Sequence, residues 1–193
     1  MRTKVLLGAA VALMLIVSVA TIGSNMGFKI SIPLTAGWSN FVSLPYYTSY
    51  TDAASLFADI PNVSAVSRWN NSTGNWEDWT GSGTNFAVIP GEAYVVRVTT
   101  TGNWIVVGSH KPALGLAMTQ GYSNFIAVPY HTTATNAQAL LAQIPNATAI
   151  SRWNNATGNW EDWTGAGTNF PVTPGEGYVV RVSASASWTP AHY

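Results

Sequence analysis

The chain has 193 residues, 47% of them hydrophobic, enough to build one large core or two small ones. Only 8% are charged and the net charge is zero, against about 25% charged in ordinary soluble domains, so the polar surface must be made of Thr, Ser, Asn and Gly. That balance argues against a nucleic-acid partner, and the absence of cysteine excludes a disulfide framework and any thiolate zinc or iron–sulfur site.

Arg2 and Lys4 precede an apolar run from Val5 to Val17, and Ser18-Val19-Ala20 then offers the small residues of a signal peptidase site. Residues 1–20 therefore read as an export signal cleaved after Ala20. The competing reading is an uncleaved anchor to Gly23, since a helix over Val5 to Gly23 reaches about 28 Å at ~1.5 Å per residue. Either reading places the remainder outside the cytoplasm, with membrane contact only through this segment.

Beyond the leader, Ile30, Ile32 and Leu34 alternate with Ser31 and Pro33, the pattern of an edge strand, because proline cannot donate to a ladder. Gly37-Trp38-Ser39-Asn40 turns the chain into a strand over Phe41–Leu44, stopped by Pro45. A short helix follows, with Thr51 as expected N-cap and Ala53, Leu56, Phe57 and Ile60 on one face before Pro61. Residues 68–86 then predict a β-hairpin in which Gly74 takes positive φ, Trp69 faces Trp76 and Arg68 faces Glu77, the two pairs on opposite sheet faces. Pro90-Gly91 has the order of a type II turn, and strands are expected over Tyr94–Val98 and Trp104–Val107.

After Lys111-Pro112 the pattern begins again. Arg152 to Phe170 repeats Arg68 to Phe86 with only Ser72/Ala156 and Ser82/Ala166 differing, and an offset of 84 relates Gly37 to Gly121, Pro61 to Pro145, Gly91 to Gly175 and Trp104 to Trp188 without a gap. Leu114, Leu116 and Met118 match Ile30, Ile32 and Leu34. The sequence thus predicts a mainly β protein of two tandem homologous modules, 28–111 and 112–193, each a small barrel or sandwich with one short helix, folding alike and independently.

Eight of the nine tryptophans form twinned pairs across this repeat. Trp69, Trp76, Trp153 and Trp160, beside Asn, Arg and carboxylates, could stack a sugar ring while polar groups read its hydroxyls; the alternative is that they fill two small cores. Coplanar, exposed Trp69 and Trp76 would favour the sugar, and burial of both would remove its basis. Neighbouring strand residues point to opposite faces, so Glu77-Asp78 and Glu161-Asp162 cannot flank one bond, although Glu92 and Glu176, after the Pro-Gly turns, could approach them. No nucleophile, base and orienting group converge in the sequence, and no enzyme is expected. His110, His131 and His192 have no twins and no metal-site spacing. A calcium site at Asp78 and the Gly81–Gly83 loop would rest on a single carboxylate, so neither metal nor cofactor is expected. Asn62, Asn70, Asn71, Asn146 and Asn155 each begin an Asn-x-Ser/Thr triplet, of which Asn62, Asn71, Asn146 and Asn155 are taken as glycan acceptors.

Gly37 to Pro45 with Pro90 to Tyr94, and Gly121 to Pro129 with Pro174 to Tyr178, resemble a repeat module of exported bacterial and archaeal proteins. That module reads Gly-Trp-Asn-hydrophobic-hydrophobic-Ser-Leu-Pro and closes with Pro-Gly-x-Gly-Tyr; Ala93 and Tyr122 depart from its usual Gly and Trp. The resemblance implies an extracellular or cell-surface module with no catalytic role.

These features lead to the expectation of a non-enzymatic extracellular structural or adhesive protein, self-assembling head to tail as a filament or surface layer. There the bare leading strand Ile30, Ile32, Leu34 would add to the end of another chain near Trp188. The alternative is a carbohydrate-binding protein with two equivalent aromatic sites and an extracellular polysaccharide partner.

Overall fold

The computed structural model describes residues 27–44, 46–71, 73–109 and 114–191. The leader, the Lys111-Pro112 joint, His110 and His192 lie outside the described residues. The first module contains β1 (Gly27–Leu34), β2 (Asn40–Ser43), α1 (Ala53–Asp59), β3 (Val63–Asn70), β4 (Asn75–Trp79), β5 (Ala93–Val98) and β6 (Gly102–Ser109). The second contains β7 (Leu116–Met118), β8 (Asn124–Ala127), α2 (Ala137–Gln143), β9 (Ala147–Asn154), β10 (Asn159–Trp163), β11 (Gly177–Val182) and β12 (Ala186–Trp188).

The protein is mainly β, and among the described residues no barrel closes. Each module is an antiparallel four-stranded sheet, ordered β2-β5-β3-β4 or β8-β11-β9-β10, with a separate ribbon, β1-β6 or β7-β12. Apolar side chains of sheet, ribbon and helix meet in one core per module. In the first, Ile32, Leu34, Trp104 and Val106 of the ribbon pack with Val42, Val66, Tyr94 and Val96 of the sheet and with Leu56 of α1. Burying each large aliphatic side chain contributes about 1.5–3 kcal/mol, so the seven-residue helix is held by Leu56 and Ala53 rather than by its own propensity.

The helix begins one residue later than expected. Asp52, not Thr51, is the N-cap: its carboxylate accepts from the Ser55 backbone N–H at 2.9 Å while Ser55 Oγ accepts from the Asp52 N–H at 3.1 Å. Asn136 caps α2 by accepting from Ala139 N–H, without the reciprocal bond. The hairpin has the expected register, Trp69 opposite Trp76 and Arg68 opposite Glu77, with Gly74 at φ 66°.

The leading strand is not bare. β1 pairs antiparallel with β6 along its whole length, from Gly27 opposite Ser109 to Leu34 opposite Gly102. Its alternation is the signature of a strand completing its own module: Ile32 and Leu34 are buried in that core, as Trp188 is in the second. Among the described residues no helix is long and apolar enough to cross a membrane.

Candidate functional site

The surface with most of the chain's unexplained aromatics lies where the modules meet. Strand alternation puts Val42 and Val96 toward the core, and therefore Phe41, Ser43, Ala93, Val95, Trp69 and Trp76 on the other sheet face. The second module covers much of that face, burying Ser43, Ala93 and Val95. The main contacts there recur with the modules exchanged, although Tyr46 OH donating to Ala127 O and Trp38 packing on Trp153 have no twins among the described residues. Ser43 N–H donates to Gly175 O at 2.8 Å, and Ala127 N–H to Gly91 O at 2.8 Å. Asn71 Nδ2 donates to Asn124 Oδ1 at 3.2 Å, and Asn155 Nδ2 to Asn40 Oδ1 at 2.8 Å. Phe41 and Phe125 stack on each other, centroids 5.9 Å apart and planes 12° from parallel. Such reciprocity defines an isologous, two-fold-like pairing, in which edge strands β2 and β8 are sealed by the chain just ahead of β11 and β5.

The repeated motif now has a physical explanation. Gly37, at φ 82°, turns the chain, and Asn40, itself buried, fastens that turn by accepting from Thr35 N–H and donating to Thr35 O and to Val96 O of β5. Phe41 then projects to the other module. In the closing motif Gly91, at φ 87°, passes so close to Leu116 that a Cβ would lie 2.2 Å from its Cδ2. Ala93 faces Gly177, its own twin, across the pseudo-two-fold.

The hairpin tryptophans border this interface and do not form a flat platform. Trp69 and Trp76 stand at 69° to each other, and both contact Phe125; Trp153 and Trp160, at 73°, contact Phe41. Trp69 and Trp153 are half-buried, whereas Trp76 and Trp160 are each 43% exposed. Trp38, 41% exposed, packs on Trp153, and its twin Tyr122 is 39% exposed. The coplanar pair expected of a sugar platform is absent because each tryptophan is tilted against the other module's phenylalanine. A band of four exposed aromatics around the Phe41–Phe125 stack takes its place.

Two clefts flank the stack, each built by both modules. One, of about 340 Å³, lies between Phe41 and Val42 of β2 and Trp153, Asn155 and Glu176. Its twin, of about 450 Å³, lies between Asn71 and Glu92 and Asn124, Phe125 and Leu116. The polar groups beneath them take two arrangements from one sequence. Arg68 donates to Glu92 at 2.7 and 3.1 Å and stands 3.5 Å from Glu77. Arg152 instead donates to Glu161 at 2.6 Å and stands 3.6 Å from Glu176, which accepts from the Tyr178 hydroxyl and has a 44% exposed side chain. Burial holds the Glu92 carboxyl above the usual carboxylate range despite Arg68. Hydrogen bonds from Asn154 and Arg152 hold Glu161 below it. The expected hairpin pair is therefore dominant only in the second module; in the first, Glu92 takes over.

Other expected residues fall as follows. Asn71 and Asn155 spend their amide nitrogens on the interface, so a glycan there would require breaking it; Asn62 and Asn146 are exposed, at positive φ, on the turns ahead of β3 and β9. Ile32, Leu34 and Trp188 are core residues, and Ile30 lies against Gly175. Asp78 accepts from Ser67 Oγ and, through its carbonyl, from Thr84 N–H, which ties the glycine loop back to β4. His131 packs edge-on against Tyr130. Among the described residues no three His, Cys, Asp or Glu side chains cluster as metal ligands. Asn40, Phe41 and their twins were not singled out from sequence; their signal was the strict repetition of Ser-Asn-Phe after each turn.

Compared with family models, with curated proteins and with solved structures, the sequence matches none.

Proposed function

We propose that this is a non-enzymatic extracellular adhesive protein that holds a polysaccharide. The observation that carries this reading is the exposed band Trp38, Trp76, Tyr122 and Trp160, placed on both sides of the pseudo-two-fold. Exposed aromatic faces set among amide and carboxylate side chains suit sugar rings, whose C–H faces are apolar and whose hydroxyls are polar. Export rests on the amino-terminal leader and on the resemblance to secreted repeat modules. The leading strand that head-to-tail assembly would use already pairs with β6 in its own module.

The test is retention of the mature chain, residues 21–193, on immobilised neutral polysaccharides, beside a Trp76→Ala/Trp160→Ala variant. Retention that falls at least tenfold in the variant is the expected result. Passage of the wild-type chain unretarded through every neutral matrix would refute the reading.

A further inference from the structure

We infer that the two clefts between the modules are the saccharide subsites, and that a sugar hydroxyl is read by Arg152 and Glu176 in one and by Arg68 and Glu92 in the other. This rests on the polysaccharide reading above and deepens it, since the exposed band alone supplies stacking without selectivity. The volumes, about 340 and 450 Å³, lie in the range of small-ligand pockets. Phe41 in one cleft and Phe125 in the other give an apolar surface for one face of a ring.

The chemistry of the polar side selects a neutral ligand. Each arginine lies between two carboxylates, Glu161 and Glu176 or Glu77 and Glu92, so the pocket has no positive charge left for a phosphate or a uronate. A hydroxyl can accept from a guanidinium and donate to a carboxylate at once.

The two modules display the two states such a site needs. Around Arg68 the clamp is shut: Glu92 is held at 2.7 Å, and the guanidinium is not among the cleft-lining groups. Around Arg152 it is open: Glu176 is released to 3.6 Å, and both residues line the cleft. The same Arg-Trp-Asn-Asn hairpin supports both arrangements, and a hydroxyl bridging the pair would hold the open form. Residues from both modules line each cleft, so binding also ties the modules together.

The test titrates the chain with neutral hexose and N-acetylhexosamine oligosaccharides by calorimetry and by tryptophan fluorescence, Trp153 and Phe41 lining one site. Two sites per chain are expected. Glu176→Gln should remove one, and Glu92→Gln/Glu176→Gln should weaken binding at least tenfold while retention on a polysaccharide matrix through Trp76 and Trp160 persists in part. Because the ion pairs could also support the fold, Ile89→Trp/Thr173→Trp, which fills both clefts from their exposed rims, should abolish oligosaccharide binding with a native melt. Unchanged affinity in the rim-filled protein overturns the cleft assignment and leaves polysaccharide adhesion standing. Failure of the wild-type chain to bind any oligosaccharide or matrix overturns both.

Discussion

Exchanging Ala93 and Gly177 tests the inter-module packing at its most constrained point. A Cβ on Gly177 would lie 2.8 Å from Ala93 Cβ and 3.2 Å from Val42 O, well inside the ~3.5–4.0 Å of ordinary carbon contact. Gly177→Ala must therefore push the sheets apart by several tenths of an ångström, an overpacking cost of about 1–3 kcal/mol. For a chain of this size that is a melting-point drop of roughly 2–12 °C. Ala93→Gly removes a buried methyl, about 0.8 kcal/mol, and adds a strand-glycine penalty of about 0.5–1 kcal/mol. The exchange variant Ala93→Gly/Gly177→Ala restores one methyl on the axis, from the other side, and should unfold within about 0.5 kcal/mol of wild type. The singles add to at least about 2 kcal/mol, so the cycle predicts a coupling of about 2 kcal/mol or more. Equilibrium urea unfolding of the four proteins measures it. If the two changes add within about 0.5 kcal/mol, or if Gly177→Ala is neutral, the modules do not meet at these residues.

Three further outcomes follow. Asp59 accepts from both Trp104 Nε1 at 2.7 Å and the Tyr50 hydroxyl at 2.6 Å, so Asp59→Asn should cost about 1–2 kcal/mol by urea unfolding, with no loss if the network is idle. Glu161 has a depressed folded-state pKa, so its contribution is complete above the unfolded value of about 4.3 and is lost as pH falls through the folded value; Glu161→Gln should flatten stability against pH on that acid limb while costing only about 0.2–1 kcal/mol at pH 7, and an unchanged acid slope would contradict it. The isolated second module, residues 112–193, leaves the face around Phe125 and Val179 uncovered, so it should pair with itself as a symmetric dimer in light scattering; a folded monomer at high concentration would show that the interface adds little.

The elements were legible because their signals are local. The hairpin register followed from Gly74 and the alternation on either side of it, and the helix face from the spacing of Ala53, Leu56 and Ile60, with an error of one residue at the cap because Thr51 and Asp52 are both competent there. The interface was not legible. Phe41 reads as a core residue in any strand pattern, and only the partner sheet reveals that its face is the outward one. Glu92 lies 24 positions from Arg68, beyond any hairpin rule, and competes successfully with the cross-strand Glu77 because β5 runs beside β3. The alternating leading strand was correctly placed at an edge, but an edge strand with buried Ile32 and Leu34 is committed to its ribbon rather than spare.

A gapless tandem repeat invites the idea of open-ended stacking, yet what a duplicated module does depends on which surface it presents to its twin. Here the contacts made by Ser43, Asn71 and Phe41 return as those of Ala127, Asn155 and Phe125, and an interface of that kind uses itself up. The product is one unit bearing two related clefts and two halves of an aromatic band. On the proposed reading such a unit would bind a repetitive polymer bivalently: once one cleft held a chain, the second would meet neighbouring sugars at an effective concentration on the millimolar scale. Individually weak sites would then suffice for the proposed adhesion, even with a single Arg–Glu reader in each cleft. A chain with only one functional cleft should accordingly lose far more of its retention on polymer than of its affinity for a short oligosaccharide.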